Sequence, residues 1–288
     1  MSSVIAVDIG GTTIKAGRIS SGSVIEREEI PSEAPSGRYG VITRIIKSID
    51  ILMARDVRGI ALCIPGTIDA ARGTVLCTSN LPLSGVAIAR IIEKRFNTSV
   101  VIENDANCFA LGEALYGSGR GHKTVFGITI GTGLGSGIVI EKRLFHGRMN
   151  AGELSTICIN VQGLRCSCRG RGCAEEYVSA RALMRYAQGV RATSPEEVYL
   201  LACKGNRRAQ QAFATMGMYL GIACTNVISL LDPDIIVIGG KISQAWRYFA
   251  PAMRKTIAQH CMVNAHPRIL KSRLTDAALL GAASLIER

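Results

Sequence analysis

One short pattern occurs twice in this chain, and it limits the possible folds more than any other feature. Residues 4–19 read VIAVDIGGTTIKAGRI and residues 124–140 read TVFGITIGTGLGSGIVI. Each is an apolar strand, a Gly/Thr turn and a second strand. A chain with both is expected to build two similar lobes, each contributing one glycine turn. Glycine permits positive φ and close backbone approach. Successive backbone N–H groups in such a turn make a concavity suited to anions.

Strand-like and helix-like segments alternate around these repeats. Residues 60–64, 100–102 and 235–238 are short apolar runs suited to buried strands. Residues 41–54, 88–96, 106–115 and 276–286, with much of 196–230, are helical in pattern. Residues 32–40, rich in Ser, Pro and Gly, read as a loop. The alternation predicts an α/β fold with mixed or parallel sheets, and 288 residues suit about two domains.

The chain is 48% hydrophobic and 19% charged, which excludes a disordered protein. No apolar run is expected to reach the ~18 residues of a membrane span. The net charge is +12. The basic residues are scattered, with only Arg165, Arg169 and Arg171 close together, so a basic surface on a phosphate-handling protein fits better than specific nucleic-acid binding. The N-terminus shows neither a basic region nor a cleavage site, so a cytoplasmic protein is expected. Seven of the ten cysteines are widely separated and read as reduced thiols. Cys166, Cys168 and Cys173 form a cluster.

The first turn contains Asp8, Gly10, Gly11, Thr12, Thr13 and Lys15. Its backbone N–H groups, two hydroxyls and a point charge all favour a phosphate. Asp8 suits such a site if Mg²⁺ lies between, directly or through water. The second turn runs from Gly131 through Thr132 and Gly133 to Gly137. No helix follows it, it is not the G-x-G-x-x-G pattern, and no Walker-type motif occurs in the chain. Asp105 follows a strand and precedes a helix, so the helix dipole favours its ionised carboxylate.

The paired turns, Glu103-Asn104-Asp105-Ala106-Asn107 and Cys166-x-Cys168-x4-Cys173-x-Glu175 together resemble the ROK family of sugar kinases and sugar-responsive repressors. The likeness covers nearly the whole chain. It implies the two-lobed actin-like ATPase (ribonuclease H-like) α/β fold with a cleft between lobes. The expected division is 1–115 plus the C-terminal helix 274–288, and 116–273 with the Cys-rich knuckle at 166–173. It implies ATP-dependent phosphorylation of a hexose or N-acylhexosamine at the C6 hydroxyl, with MgATP and with Asp105 as base. Asn80, Asn104, Glu153 and Glu175 match the family's sugar-contacting positions, and Gly239-Gly240 matches its adenosine-side turn. A homodimer or homotetramer is implied.

The zinc segment departs from the family pattern. Glu-x-Gly-His is replaced by Glu153-Leu154-Ser155-Thr156, and Thr156 is a poor zinc ligand. Arg169 replaces the glycine usual after the second knuckle cysteine. If residues 156–158 are extended, Thr156 and Cys158 point to one face. Cys158 is then the expected fourth ligand of a structural zinc site with Cys166, Cys168 and Cys173. The altered segment leaves glucose, N-acetylmannosamine and allose as open substrates. A sugar-sensing regulator without catalysis is the alternative. With seven residues ahead of Asp8, no DNA-binding helix-turn-helix is expected there.

Overall fold

In the computed structural model, which describes residues 2–261 and 267–287, two five-stranded sheets repeat one topology. The first is built from β1 (Ser3–Ile9), β2 (Thr13–Ser20), β3 (Ser23–Pro31), β4 (Val57–Ile64) and, after the short ribbon β5 (Thr67–Asp69) and β6 (Thr74–Cys77), β7 (Val100–Asn104). Their order is β3-β2-β1-β4-β7. The first three strands form an antiparallel meander, and β4 and β7 add in parallel. The crossovers contain α1 (Gly37–Leu52) and α2 (Ile88–Phe96), and α3 (Asp105–Tyr116) follows β7 directly.

The second sheet uses β8 (Thr124–Ile130), β9 (Leu134–Ile140), β10 (Arg143–Leu144), β11 (Ile235–Gly239) and β12 (Arg268–Lys271), in the order β10-β9-β8-β11-β12. Helices α4 (Ala180–Tyr186), α5 (Pro195–Cys203) and α6 (Arg207–Leu231) precede β11, and α7 (Trp246–His260) lies between β11 and β12. The last helix, α8 (Ala277–Ile286), returns to the first sheet. The chain thus divides into a first unit, Met1–Lys123 with Gly137–Ala151 and Arg273–Arg288, and a second, Thr124–Ser136 with Gly152–Ser272.

The central strands of the first sheet are buried on both faces, which is why they read as continuous apolar runs. Ile5, Val7 and Ile9 join the core under α1 and α2, with Ile45, Ile49 and Ile92. Val4 and Ala6 point the other way, toward Cys63, Cys108, Leu279 and Ala282. On that side α3 and α8 approach backbone to backbone. A Cβ on Gly112 would strike the carbonyl of Ala277, and one on Gly281 that of Cys108.

Two expectations need correction. Residues 32–40 are not simply a loop: they hold a 3-10 turn at Ala34–Ser36 and the start of α1. Pro35 presets φ there, and the Ser36 hydroxyl donates to the Glu33 carbonyl. The second correction concerns α6, whose 25 residues are long and apolar enough, by length and composition, to cross a membrane. Its run 213–231 has no charged residue. Its apolar stripe, including Phe213, Met216 and Leu220, is buried in the second unit, as in the core helix of a globular domain.

Candidate active site

In the first unit, Asp8 on β1 and Lys15 on β2 are cross-strand partners. The Gly10 N–H closes the turn on the Thr13 carbonyl at 2.9 Å. Ser32, which sequence reasoning did not single out, holds the turn from outside. Its hydroxyl donates to the Gly11 carbonyl at 2.7 Å and its N–H to the Thr12 carbonyl at 2.9 Å. Thr12 and Lys15 are exposed and Thr13 is half-buried. Asn80 is exposed beside Gly11, where an added Cβ would lie 3.3 Å from the Asn80 carbonyl oxygen. Glycine permits positive φ, yet Gly10, Gly11, Gly131 and Gly133 all avoid the left-handed region. Crowding by neighbouring backbone and side chains, rather than backbone handedness, distinguishes Gly10, Gly11 and Gly133, whereas nothing lies within 4 Å of a Cβ built on Gly131.

Asp105 is the first residue of α3, and the preceding Asn104 is the N-cap. The Asn104 Oδ1 accepts from the N–H groups of Ala106 at 2.9 Å and Asn107 at 3.1 Å, while its Nδ2 donates to the Gly66 carbonyl at 3.0 Å. Much of its hydrogen-bonding capacity therefore shapes the helix start. Burial, and then the Asp105 carboxylate, push Asp8 up to about 7, while Lys15 pulls it down. The two acids are close enough to feel one another.

Two further residues meet at this helix start: Glu103, which the sequence motif includes but gives no role, and His146, which sequence reasoning did not single out. Glu103 is buried. One of its oxygens accepts the Asn104 N–H at 2.8 Å and the Asn107 Nδ2–H at 2.9 Å. The other lies 2.7 Å from His146 Nε2. This hydrogen bond raises the His146 pKa against the opposing effect of burial. The available signal was an acid inside a buried strand end, which needs a partner; the partner's position, 43 residues away, was not readable.

In the second unit, Gly131 donates to the Gly133 carbonyl at 3.0 Å. Leu134 donates its N–H to Glu175 Oε2 at 3.1 Å. A Cβ on Gly133 would lie 2.6 Å from that oxygen. Thr132 is exposed at the turn's tip. Glu153 is also exposed and accepts the Ser155 hydroxyl at 3.1 Å. Gly239 is the buried last residue of β11. The residues just after it, Lys241 and Ile242, line a recess with Tyr199 and Phe213.

The Sγ atoms of Cys166, Cys168 and Cys173 lie within 4.8 Å of one another. The Cys166 N–H donates to the Gly170 carbonyl at 2.9 Å, and Arg169 takes φ 71°, a left-handed value that its family-typical glycine would adopt more readily. The Gly170 N–H is the foremost of the contacts that hold the Cys168 thiol below its usual range, while burial pushes Cys173 up. The expected extended segment at 156–158 is not formed. Thr156 ends a 3-10 turn, Leu154–Thr156, and its hydroxyl donates to the Glu153 carbonyl at 3.2 Å. Cys158 is outside the three-thiol group, but its backbone forms an antiparallel bridge with Cys173. The flanking bonds, Ala174 N–H to Ile157 O at 2.9 Å and Ile159 N–H to Gly172 O at 2.8 Å, make this a non-hydrogen-bonded pair. Such a pair has its side chains on one face.

The ROK family profile matches residues 4–288. The chain is 32% identical to the glucokinase of Thermotoga maritima, over 99% of this chain and 97% of that protein. It is 31% identical to the xylose repressor of Caldicellulosiruptor bescii, over 81% of this chain and 63% of that protein. It superimposes on a ROK family glucokinase from Streptomyces griseus, solved with glucose and AMPPNP, with a TM-score of 0.89 at 31% identity and 99% coverage of each chain.

Proposed function

The chain belongs to the ROK family, and from that premise we propose that it is an ATP-dependent sugar kinase. Its acceptor is the C6 hydroxyl of a hexose or N-acylhexosamine, with Asp105 as the base. The observation that carries this reading is the strand register that aligns Asp8, Cys63 and Glu103 across β1, β4 and β7, so that Asp105, opening α3 just after β7, bears on the Asp8 carboxyl of the first glycine turn. An acid meant to accept a proton as its hydroxyl attacks a phosphate needs to lie near the phosphate site.

Phosphoryl transfer passes through a loose transition state, so positioning and charge do most of the catalysis. Asp105 accepts the sugar hydroxyl proton, and the α3 dipole keeps its carboxylate ionised beforehand. Lys15 and the 10–13 turn neutralise phosphate charge. Asn80, Asn104, Glu153 and Glu175 bind sugar hydroxyls, and Thr132 and Gly133 take part in nucleotide binding. The recess beside Gly239, with Tyr199 and Phe213, suits the base of the nucleotide. The Asp8 carboxyl, raised by burial and by Asp105, fits a magnesium-binding role, since a divalent cation relieves crowded negative charge. Magnesium, when bound, neutralises charge on the phosphates.

The three clustered thiols fit a soft cation such as zinc. Cys158, across the bridge from Cys173, is the proposed fourth ligand in place of Thr156. Metal analysis should find about one zinc per chain in the wild type and less in Cys158→Ala after chelator treatment. Equal retention removes Cys158 from the ligand set.

A coupled ADP-release assay over hexoses and hexosamines tests the kinase reading, with Asp105→Asn as the decisive variant. Turnover should fall by about 10²–10⁴ with the circular dichroism spectrum unchanged. A rate near wild type removes Asp105 as base. The repressor likeness supports a second reading, a sugar-responsive regulator. Tight, sequence-specific binding in a mobility-shift assay, with no turnover of any sugar, favours that reading.

A further inference from the structure

His146 and Glu103 take no part in the mechanism above, yet they meet beside its base. Glu103 is the penultimate residue of β7, and Asp105 begins the helix that follows. One Glu103 oxygen holds the Asn104 N–H and the Asn107 side chain, so this carboxylate grips the residues on both sides of Asp105. The other oxygen pairs with His146 Nε2 at 2.7 Å. His146 in turn opens a tight bend: its carbonyl accepts the Ala151 N–H at 3.1 Å. Gly147, the next residue, has φ 56°. The bend leads directly into Gly152 and Glu153. A carboxylate as buried as Glu103 is costly without a cationic or hydrogen-bonded partner, and a half-buried imidazole supplies one.

We propose that His146 is a positioning residue, which fastens the 145–151 bend to the start of α3 through Glu103. The fastening fixes the 145–151 bend, which runs on in sequence to Glu153, against the helix that bears Asp105. It therefore tunes sugar binding rather than the chemical step. The kinetic part of this inference rests on the kinase reading; the fastening itself does not.

Two variants test it, His146→Ala and His146→Gln. Glutamine keeps a nitrogen donor at the place of Nε2. Hydrogen exchange followed by mass spectrometry reads the bend without any reaction. In His146→Ala the amides of 147–152 should exchange about tenfold faster than in wild type, while in His146→Gln they should stay near wild type. In steady-state kinetics, His146→Ala should raise the sugar KM about tenfold, the loss of one charge-assisted hydrogen bond, with kcat changed far less. His146→Gln should recover most of that KM. Wild-type exchange in His146→Ala, or equal impairment of both variants, overturns the proposal. If the wild type phosphorylates no sugar, the kinase reading fails alone, and the exchange comparison still decides whether His146 fastens the bend.

Discussion

The two glycine turns share a strand–turn–strand plan but are held by different means. The first carries its own charges, Asp8 and Lys15, facing each other across one hairpin. Ser32, at the end of the same meander, secures its carbonyls. The second turn has no charged residue between Thr124 and Ile140. It borrows the carboxylate of Glu175, 41 residues away, to hold the Leu134 N–H. The repeat thus duplicates a backbone shape, while the electrostatics of each copy come from separate sources. A turn with local charges can be read from its own residues, whereas a turn with borrowed charge depends on the whole unit folding correctly.

Replacing Asp8 by Asn breaks the comparison most sharply. ADP release should fall by about 10²–10³, as when one preorganised electrostatic group leaves a reacting centre. Stability should move the other way. The folded carboxyl titrates at about 7, above its usual 3.8. Asp8 therefore contributes its full stability below the usual value and loses it as pH rises through about 7. The Tm advantage of Asp8→Asn over wild type should grow between pH 5 and pH 8. A flat difference across that range means that burial and the neighbouring Asp105 do not raise the Asp8 carboxyl.

Gly133→Ala tests the borrowed charge. Its Cβ would crowd Glu175 Oε2, so urea unfolding should show a loss of about 1–3 kcal/mol from overpacking. Combined with Glu175→Ala, the losses should be clearly less than additive, because the obstacle is gone. Additive losses refute the contact. Gly131→Ala should do least. Nothing lies within 4 Å of its Cβ position and its backbone is not left-handed, so the change should stay within about 0.5 kcal/mol. A larger loss would show that the second turn needs glycine for its backbone after all.

Much of the fold was legible because buried strands carry their own signature. The runs around Val4, Ile60 and Ile235 are apolar throughout, since both sheet faces are covered there. β3 escaped notice because its middle, Glu26-Arg27-Glu28-Glu29, is largely exposed and polar. α7 escaped because Pro251 interrupts its pattern. At the site, Asp105 could be placed from strand and helix patterning alone. Asn104 was read for its polar side chain, yet its Oδ1 caps α3 and its Nδ2 bonds the distant Gly66 carbonyl. Glu175 was singled out, but its grip on Leu134 was not readable, and neither was the Glu103–His146 pair. Each depends on a contact between distant parts of the chain, which no local pattern encodes.

The return of α8 to the first sheet sets an order of events during synthesis. Residues 124–272 leave the ribosome before α8 does, so the second unit can close while the first is missing one covering layer. Until residues 277–286 emerge, Val4, Ala6, Ala61 and Cys63 lack the part of their apolar cover that α8 supplies. Such exposed surface on a nascent chain invites chaperones or aggregation. The segment translated first is thus among the last to be sealed, and translational pausing shortly before Ala277 would prolong the most vulnerable moment in the protein's life.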